Sequence, residues 1–180
     1  MPELAAIFRY PIKSCRGRRV SAARLDRFGI EGDRRYLIVD GGGRFITQRE
    51  TPALARIEVE ETATHLRLRA PGAEPVCIPL AAAGESRTRR EVTIWRDTVT
   101  ADDLGEPAAT WLSRYLGTPA RLVTTGKAFH RPIARAPGHE TAFADAWPLL
   151  VLSEASLQAL NERLARPVPL DRFRPNLLVT

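Results

Sequence analysis

The side chains best suited to chemistry sit in two short segments near the start of the chain. In Tyr10-Pro11-Ile12-Lys13-Ser14-Cys15 a proline breaks a strand-like run and is followed at once by a lysine and a hydroxyl; Lys127 is the only other lysine. In Gly29-Ile30-Glu31-Gly32-Asp33-Arg34-Arg35-Tyr36 two glycines bend the chain before a charged group opens a strand. Lys13, Ser14 and Arg34 at strand ends can converge on a phosphate, the cations neutralising it and the hydroxyl completing its hydrogen bonds. The same residues also read as surface turns in which Arg34 or Arg35 pairs with Asp33. Other reactive residue types form no pattern. His65, His130 and His139 lack metal-ligand spacing among themselves or with Cys15 and Cys77. His65 reads as a strand surface residue, and His130 and His139 as solvated loop residues. Neither a nucleophile elbow nor a zinc helix nor a dinucleotide fingerprint is present.

Composition narrows the partners. With 180 residues, 44% hydrophobic and 27% charged, the chain has the make-up of one folded domain or two small ones. The 27 basic against 21 acidic residues leave a net charge of +6. The basic residues are dispersed, with acids such as Asp26, Glu31, Asp33, Asp102 and Asp103 between them, so no nucleic-acid partner is expected. Scattered arginines suit a small anionic ligand better. No apolar run approaches the roughly 20 residues of a membrane span, and no membrane partner is expected. The N-terminal stretch lacks a signal-peptide pattern because its charge follows the apolar residues. Two cysteines are too few for a disulfide framework, and Cys77 reads as a buried small hydrophobe. A cytoplasmic location with reduced thiols is the resulting expectation.

The elements that would carry these residues are mainly β. Strands are expected at Leu4–Tyr10, Val20–Leu25, Tyr36–Asp40, Arg44–Thr47, Ala55–Glu60, Leu66–Ala70, Val76–Pro79 and Val92–Trp95. Gly41-Gly42-Gly43 joins two of them as a hairpin loop, and a phosphate loop is disfavoured because a strand follows it, not a helix. A helix is expected over Pro107–Leu116, stopped by Gly117, and then a strand over Ala120–Thr124. Thr125–Ala146 reads as the most flexible loop, Pro148–Leu152 as a buried strand, and Ser153 as the N-cap of a helix whose Leu157, Leu160 and Leu164 face a core. The apolar run Leu177–Thr180 ends the chain without a turn or polar tail and needs neighbours to pair with, so it reads either as an inserted terminal strand or as a chain cut in mid-domain.

Five stretches together resemble a known family. Leu4–Cys15, Gly29–Asp40 and Phe45-Ile46-Thr47-Gln48-Arg49 with Pro52 are similar to the N-terminal β-barrel domain that precedes MOSC domains. The stretch Phe143-Ala144-Asp145-Ala146-Trp147-Pro148 continuing to Leu157, with Asn161, resembles the opening of a MOSC domain, as does Asp171–Val179. The resemblance implies an α+β, mainly β fold: an N-terminal barrel over residues 1–120 and the opening strands and helix of a MOSC β-barrel over residues 121–180, with the chain stopping inside that second domain.

The family includes oxidoreductases that use a molybdenum cofactor, a molybdopterin, to reduce N-hydroxylated compounds with electrons from a reductase or ferredoxin-like domain. By resemblance, Lys13, Ser14 and Arg34 hold the pterin and phosphate end of the cofactor. Arg174 and Asn176 line the same pocket, and Ser153 sits at a helix start that faces it. The family's metal-binding cysteine follows the Arg174-Pro175-Asn176 segment in a stretch that would lie beyond Thr180. No metal ligand or catalytic residue is therefore expected in these 180 residues, and the chain alone is expected to be inactive. A non-catalytic module that holds a small anion or a partner protein is the alternative. A sulfur-carrier or pyridoxal-phosphate-linked role ranks last, since no lysine has an evident Schiff-base setting.

Overall fold

The computed structural model describes residues 1–80 and 87–180. In chain order the strands are β1 (Leu4–Arg9), β2 (Arg18–Val20), β3 (Leu25–Asp26), β4 (Gly29–Ile30), β5 (Tyr36–Asp40), β6 (Glu58–Glu61), β7 (His65–Ala70), β8 (Ala73–Pro79), β9 (Arg89–Ile94) and β10 (Asp97–Asp103). Helix α1 (Glu106–Leu116), β11 (Ala120–Thr124), β12 (Val151–Ser153), α2 (Glu154–Asn161) and β13 (Leu177–Val179) follow. The mainly β, α+β class expected from the sequence is the class observed.

The strand β5 is the structural hub. Its run Tyr36-Leu37-Ile38-Val39 has no polar alternation, and the pleat sends successive side chains to opposite faces. Tyr36 and Ile38 enter one core with Leu54, Ile57, Leu66, Leu68 and Leu112. Leu37 and Val39 enter a second with Phe45, Ile94, Val123, Phe129 and Phe143. Both faces of β5 are therefore covered, and its sheet runs β5-β11-β10-β9. The glycine loop after β5 is a tight turn, as expected. Gly43 has φ +82°, and a Cβ there would lie 2.6 Å from the Glu91 carbonyl oxygen, so only glycine fits.

A second sheet, ordered β12-β13-β1-β2, joins the two ends of the chain. The terminal run Leu177–Val179 lies between β1, antiparallel to it, and β12, parallel to it. Strands on either side of residue 120 thus share sheets. This pairing also brings the turn after β1, which carries Lys13 and Ser14, beside Arg174 and Asn176. Gly29, with φ +100°, lets the next turn approach as well: a Cβ there would meet Pro148 at 2.8 Å.

Several expected elements differ. The strand expected at Ala55–Glu60 opens as a 3-10 turn over Pro52–Arg56, because Pro52 fixes a helical φ at its start, and becomes strand only at Glu58. Val20–Leu25 is interrupted: β2 ends at Val20 and β3 begins at Leu25. Arg44–Thr47 contributes isolated bridges at Arg44 and Phe45 alone. The hairpin partner β10 was not expected, since its acids mask an alternation in which Val99, Ala101 and Asp103 point inward. Asp103 tolerates burial because Arg90 and Arg121 both donate to it.

The segment Thr125–Ala146 is pinned by buried Phe129, Ile133 and Phe143, so it is not a loose loop. Near the end, the strand is Val151–Ser153, not Pro148–Leu152, and it is not buried: Leu150 and Val151 are exposed. Helix α2 has no buried residue and ends at Asn161, before Leu164; Leu157 is half-buried and Leu160 and Leu164 are exposed, so the expected leucine face meets no core within this chain. Cys77 is exposed as well, because the alternation of β8 turns Ile78 inward and Cys77 out. His65, His130 and His139 are exposed, as expected. Among the described residues, no helix is long and apolar enough to cross a membrane.

Candidate functional site

Where the turn after β1, the β4–β5 turn, the β9–β10 turn and the segment before β13 meet, they enclose a cleft of about 380 Å3. Lys13, Ser14, Arg34, Arg174 and Asn176, separated by up to 163 positions, all line it. Ser153 does not. Its hydroxyl accepts from the Ser156 amide at 3.0 Å and caps α2, as its N-cap assignment anticipated.

The backbone marks this place independently of the side chains. Among the described residues, four non-glycine residues have positive φ: Ser14 (68°), Arg34 (48°), Trp95 (56°) and Arg174 (55°). All four line the cleft. A left-handed backbone at a non-glycine residue costs of order 1–3 kcal/mol and persists only where the surroundings hold it, which is typical of sites that place groups for a ligand.

Arg34 ties the walls together. Its guanidinium pairs with Asp33, donates to Asn176 Oδ1 at 3.0 Å and to the Arg174 carbonyl at 3.0 Å, and lies 4.7 Å from the Tyr10 ring centre. Asp33 is fully enclosed and also accepts from the Tyr10 amide at 2.7 Å. The ion pair offered as an alternative to a phosphate site is thus real, but it is buried, and it holds Arg34 in the cleft wall. Asn176 serves mostly as a joint. Its Oδ1 also accepts from the Leu150 amide at 3.2 Å, and its Nδ2 donates to the Phe8 carbonyl at 3.3 Å.

The cleft carries a surplus of positive charge. Lys13, Arg34, Arg49, Arg172 and Arg174 line it against one carboxylate, Asp145. Arg174 lies 4.3 Å from the Tyr10 ring centre and donates to Gln48 Oε1 at 3.3 Å, while its Nη2 is buried with no partner among the described residues. Burial, and then repulsion from Arg34, lowers the Arg174 pKa. A guanidinium that lines a cationic cleft with one nitrogen unpartnered has donor capacity left for an anion. Burial also draws the Lys13 ammonium down to about 8, despite its ion pair with Asp145. Burial alone would raise the Asp145 carboxyl, but Lys13 and the Trp95 indole, which donates from Nε1 at 3.1 Å, hold it below the usual carboxylate range.

Asp145, Trp95, Arg49, Arg172 and the buried Arg131 were not singled out from the sequence. Arg131 donates to the carbonyls of Ala142 (2.9 Å), Ala144 (2.6 Å) and Asp145 (3.2 Å) and to Asp97 Oδ2 (2.8 Å), and so fixes the backbone that presents Asp145. The signal for Trp95 was available: Trp95-Arg96 is a two-residue link between alternating runs. Arg49 and Asp145 lie in stretches already recognised for their family resemblance.

These groups suit an anionic ligand such as a phosphate. Neither thiol lines the cleft, and burial pushes Cys15 up to about 12. Among the described residues, no three His, Cys, Asp or Glu side chains gather as metal ligands.

Comparison with known proteins accords with the geometry. Residues 1–119 match the family model of the MOSC N-terminal beta barrel domain, and residues 138–180 that of the MOSC domain. The mitochondrial amidoxime reducing component 2 of Rattus norvegicus is 30% identical, over 98% of this chain and 56% of its own length. The Bos taurus protein of the same name is 32% identical, over 95% of this chain and 54% of its own. The mitochondrial amidoxime-reducing component 1 of Xenopus laevis is 32% identical, over 95% and 53%. The chain spans about half the length of the curated relatives it matches.

Proposed function

The chain belongs to the family defined by the MOSC N-terminal β-barrel domain, and on that premise we propose that its cleft holds the anionic, pterin-phosphate end of a molybdenum cofactor in an oxidoreductase that reduces N-hydroxylated compounds. The observation that carries this reading is a cleft lined by five cationic side chains and one carboxylate, among them Arg174, whose Nη2 has no partner among the described residues. The names of the relatives support the reaction class. When bound, the cofactor supplies the two-electron reduction that, with two protons, turns an N-hydroxylated compound into its amine and water.

The residues of this chain have simpler tasks. Lys13 and Arg174 neutralise the phosphate, Ser14 turns the backbone so that the loop closes around it, and Arg34 holds the two walls in register through Asp33, Asn176 and the Arg174 carbonyl. Preorganisation of this kind removes ordering costs from binding. The metal ligand and the electron donor, a reductase or ferredoxin-like domain, are not among the groups that line the cleft. The N-hydroxylated substrate belongs to the same proposal.

The protonation of Lys13 gives this assignment a pH signature. With its pKa at about 8, Lys13 is an ammonium below that value and neutral above it, so phosphate loses one attracting charge as the pH rises through it. Titration with inorganic phosphate, followed by NMR, is expected to show affinity falling on the alkaline side of about 8, and Lys13→Ala to remove that fall. An affinity that is flat across this range, or a variant with the same profile, would contradict the role of Lys13.

A further inference from the structure

Asp145 is the odd group in this cleft, a carboxylate where every other charged lining residue is cationic. The side chain of Lys13 is 8% exposed, whereas that of Asp145 is 60% exposed, so the carboxylate approaches the ammonium from the solvent side. It is held by one oxygen: Oδ1 takes both the Lys13 ammonium and the Trp95 Nε1–H. The backbone beneath it, by contrast, is fixed, since buried Arg131 donates to the carbonyls of Ala142, Ala144 and Asp145. A carboxylate on a fixed backbone, with two donors on one oxygen, leaves by a rotamer change alone, a fast motion for a solvent-facing side chain. Asp33, the other acid at this place, has no such freedom. Its side chain is 2% exposed, and both of its oxygens are engaged by Tyr10 and Arg34.

We propose that the Asp145 carboxylate is an internal stand-in for the ligand's anionic group: it neutralises Lys13 until an anion enters and then yields its place, so that Asp145 sets which anions the cleft accepts. This inference rests on the anion-holding reading of the cleft. The consequence is selectivity by charge. A monoanion such as acetate exchanges one carboxylate for another at Lys13 and gains little. A phosphate dianion brings a second charge, which the neighbouring Arg34 and Arg174 can share. Like-charge repulsion from Asp145 acts on every anion near Lys13 and twice as strongly on a dianion, which outweighs it because its attraction to Lys13, Arg34 and Arg174 doubles as well.

The test uses the 180-residue chain and its Asp145→Asn variant, which keeps an acceptor for Trp95 and removes the charge. Inorganic phosphate and acetate are titrated separately at about pH 7.5, where inorganic phosphate is mostly the dianion and Lys13, with its pKa at about 8, is still mostly charged, with the Trp95 indole N–H resonance as reporter. In the wild type, phosphate is expected to bind and to shift this resonance as its acceptor leaves, while acetate does neither. In Asp145→Asn, phosphate is expected to bind roughly tenfold more tightly, the effect of removing one nearby like charge from a partly solvated site, and acetate binding becomes measurable. Phosphate binding to Asp145→Asn but not to the wild type would also support the stand-in. Unchanged or weaker phosphate binding in Asp145→Asn, beside normal binding by the wild type and its loss in Arg174→Ala, overturns this inference and leaves the anion site standing. Absence of phosphate binding in both proteins, or binding that Arg174→Ala does not alter, overturns the anion-site reading and this inference with it.

Discussion

Replacing Arg131 with alanine is expected to destabilise the chain by about 3–5 kcal/mol, a large share of the stability of an ordinary domain. The side chain is 3% exposed and makes hydrogen bonds to three carbonyls and one carboxylate. Two of those carbonyls belong to buried Ala142 and Ala144, and each unsatisfied buried acceptor costs about 1–3 kcal/mol. The Asp97 pair adds less, because that carboxylate is half exposed. The same change frees the backbone that presents Asp145, so the cleft loses a wall along with the fold's stability. Arg131→Lys should recover little, since an ammonium cannot reproduce the planar fork that reaches these acceptors together. Urea unfolding of the three proteins measures this directly. A loss below about 1 kcal/mol in Arg131→Ala would mean that the segment Thr125–Ala146 is held by Phe129 and Phe143 without Arg131.

Arg34→Ala is expected to have a double effect, on stability and on binding, and a second substitution separates the two. Without the guanidinium, Asp33 remains as a buried carboxylate whose remaining partner is the Tyr10 amide, a situation that costs about 3–5 kcal/mol. The links to Asn176 and to the Arg174 carbonyl disappear as well. Phosphate binding should weaken by roughly ten- to a hundredfold, because the cleft loses one positive charge and the tie that holds its walls in register. Adding Asp33→Asn removes the stranded charge. The double variant should therefore regain most of the stability lost by Arg34→Ala and none of the binding. Equal recovery of both would show that Arg34 acts on the ligand through stability alone. Normal binding in a folded Arg34→Ala protein would remove Arg34 from the site.

What the sequence reveals follows from the range over which each feature is encoded. Strand β5, the Gly41–Gly43 turn, α1 between Pro107 and Gly117, and β11 are local patterns, and all four are where their periodicity and turn chemistry put them. The two turns that carry Lys13, Ser14 and Arg34 were legible for the same reason. Hairpin β9–β10 was missed because charged and small residues hide its alternation. The cleft itself is a product of long-range pairing. Arg34 meets Asn176 across 142 positions and Lys13 meets Asp145 across 132. Nothing local in Phe143–Trp147 announces that its aspartate will face a lysine near the start of the chain. Buried Arg131 is illegible on the same grounds, since its partners are mostly backbone carbonyls that leave no trace in residue type.

The exposed leucines of α2 and the exposed Leu150 and Val151 show the other side of this limit. Their spacing encodes an apolar face, but residue pattern alone does not say what that face meets. The Ser153 cap was read correctly as local structure, whereas its place beside the cofactor came from resemblance and is not supported by the cleft's lining.

If these 180 residues build the proposed site for the phosphate end of the cofactor, metal-free molybdopterin titrated into the purified chain binds to it without any further domain. Saturable binding at one site is expected, weakened roughly ten- to a hundredfold in a folded Arg174→Ala variant, which loses the cationic side chain whose Nη2 has no partner among the described residues. Failure of the wild-type chain to bind the pterin saturably, or equal binding by Arg174→Ala, would contradict it.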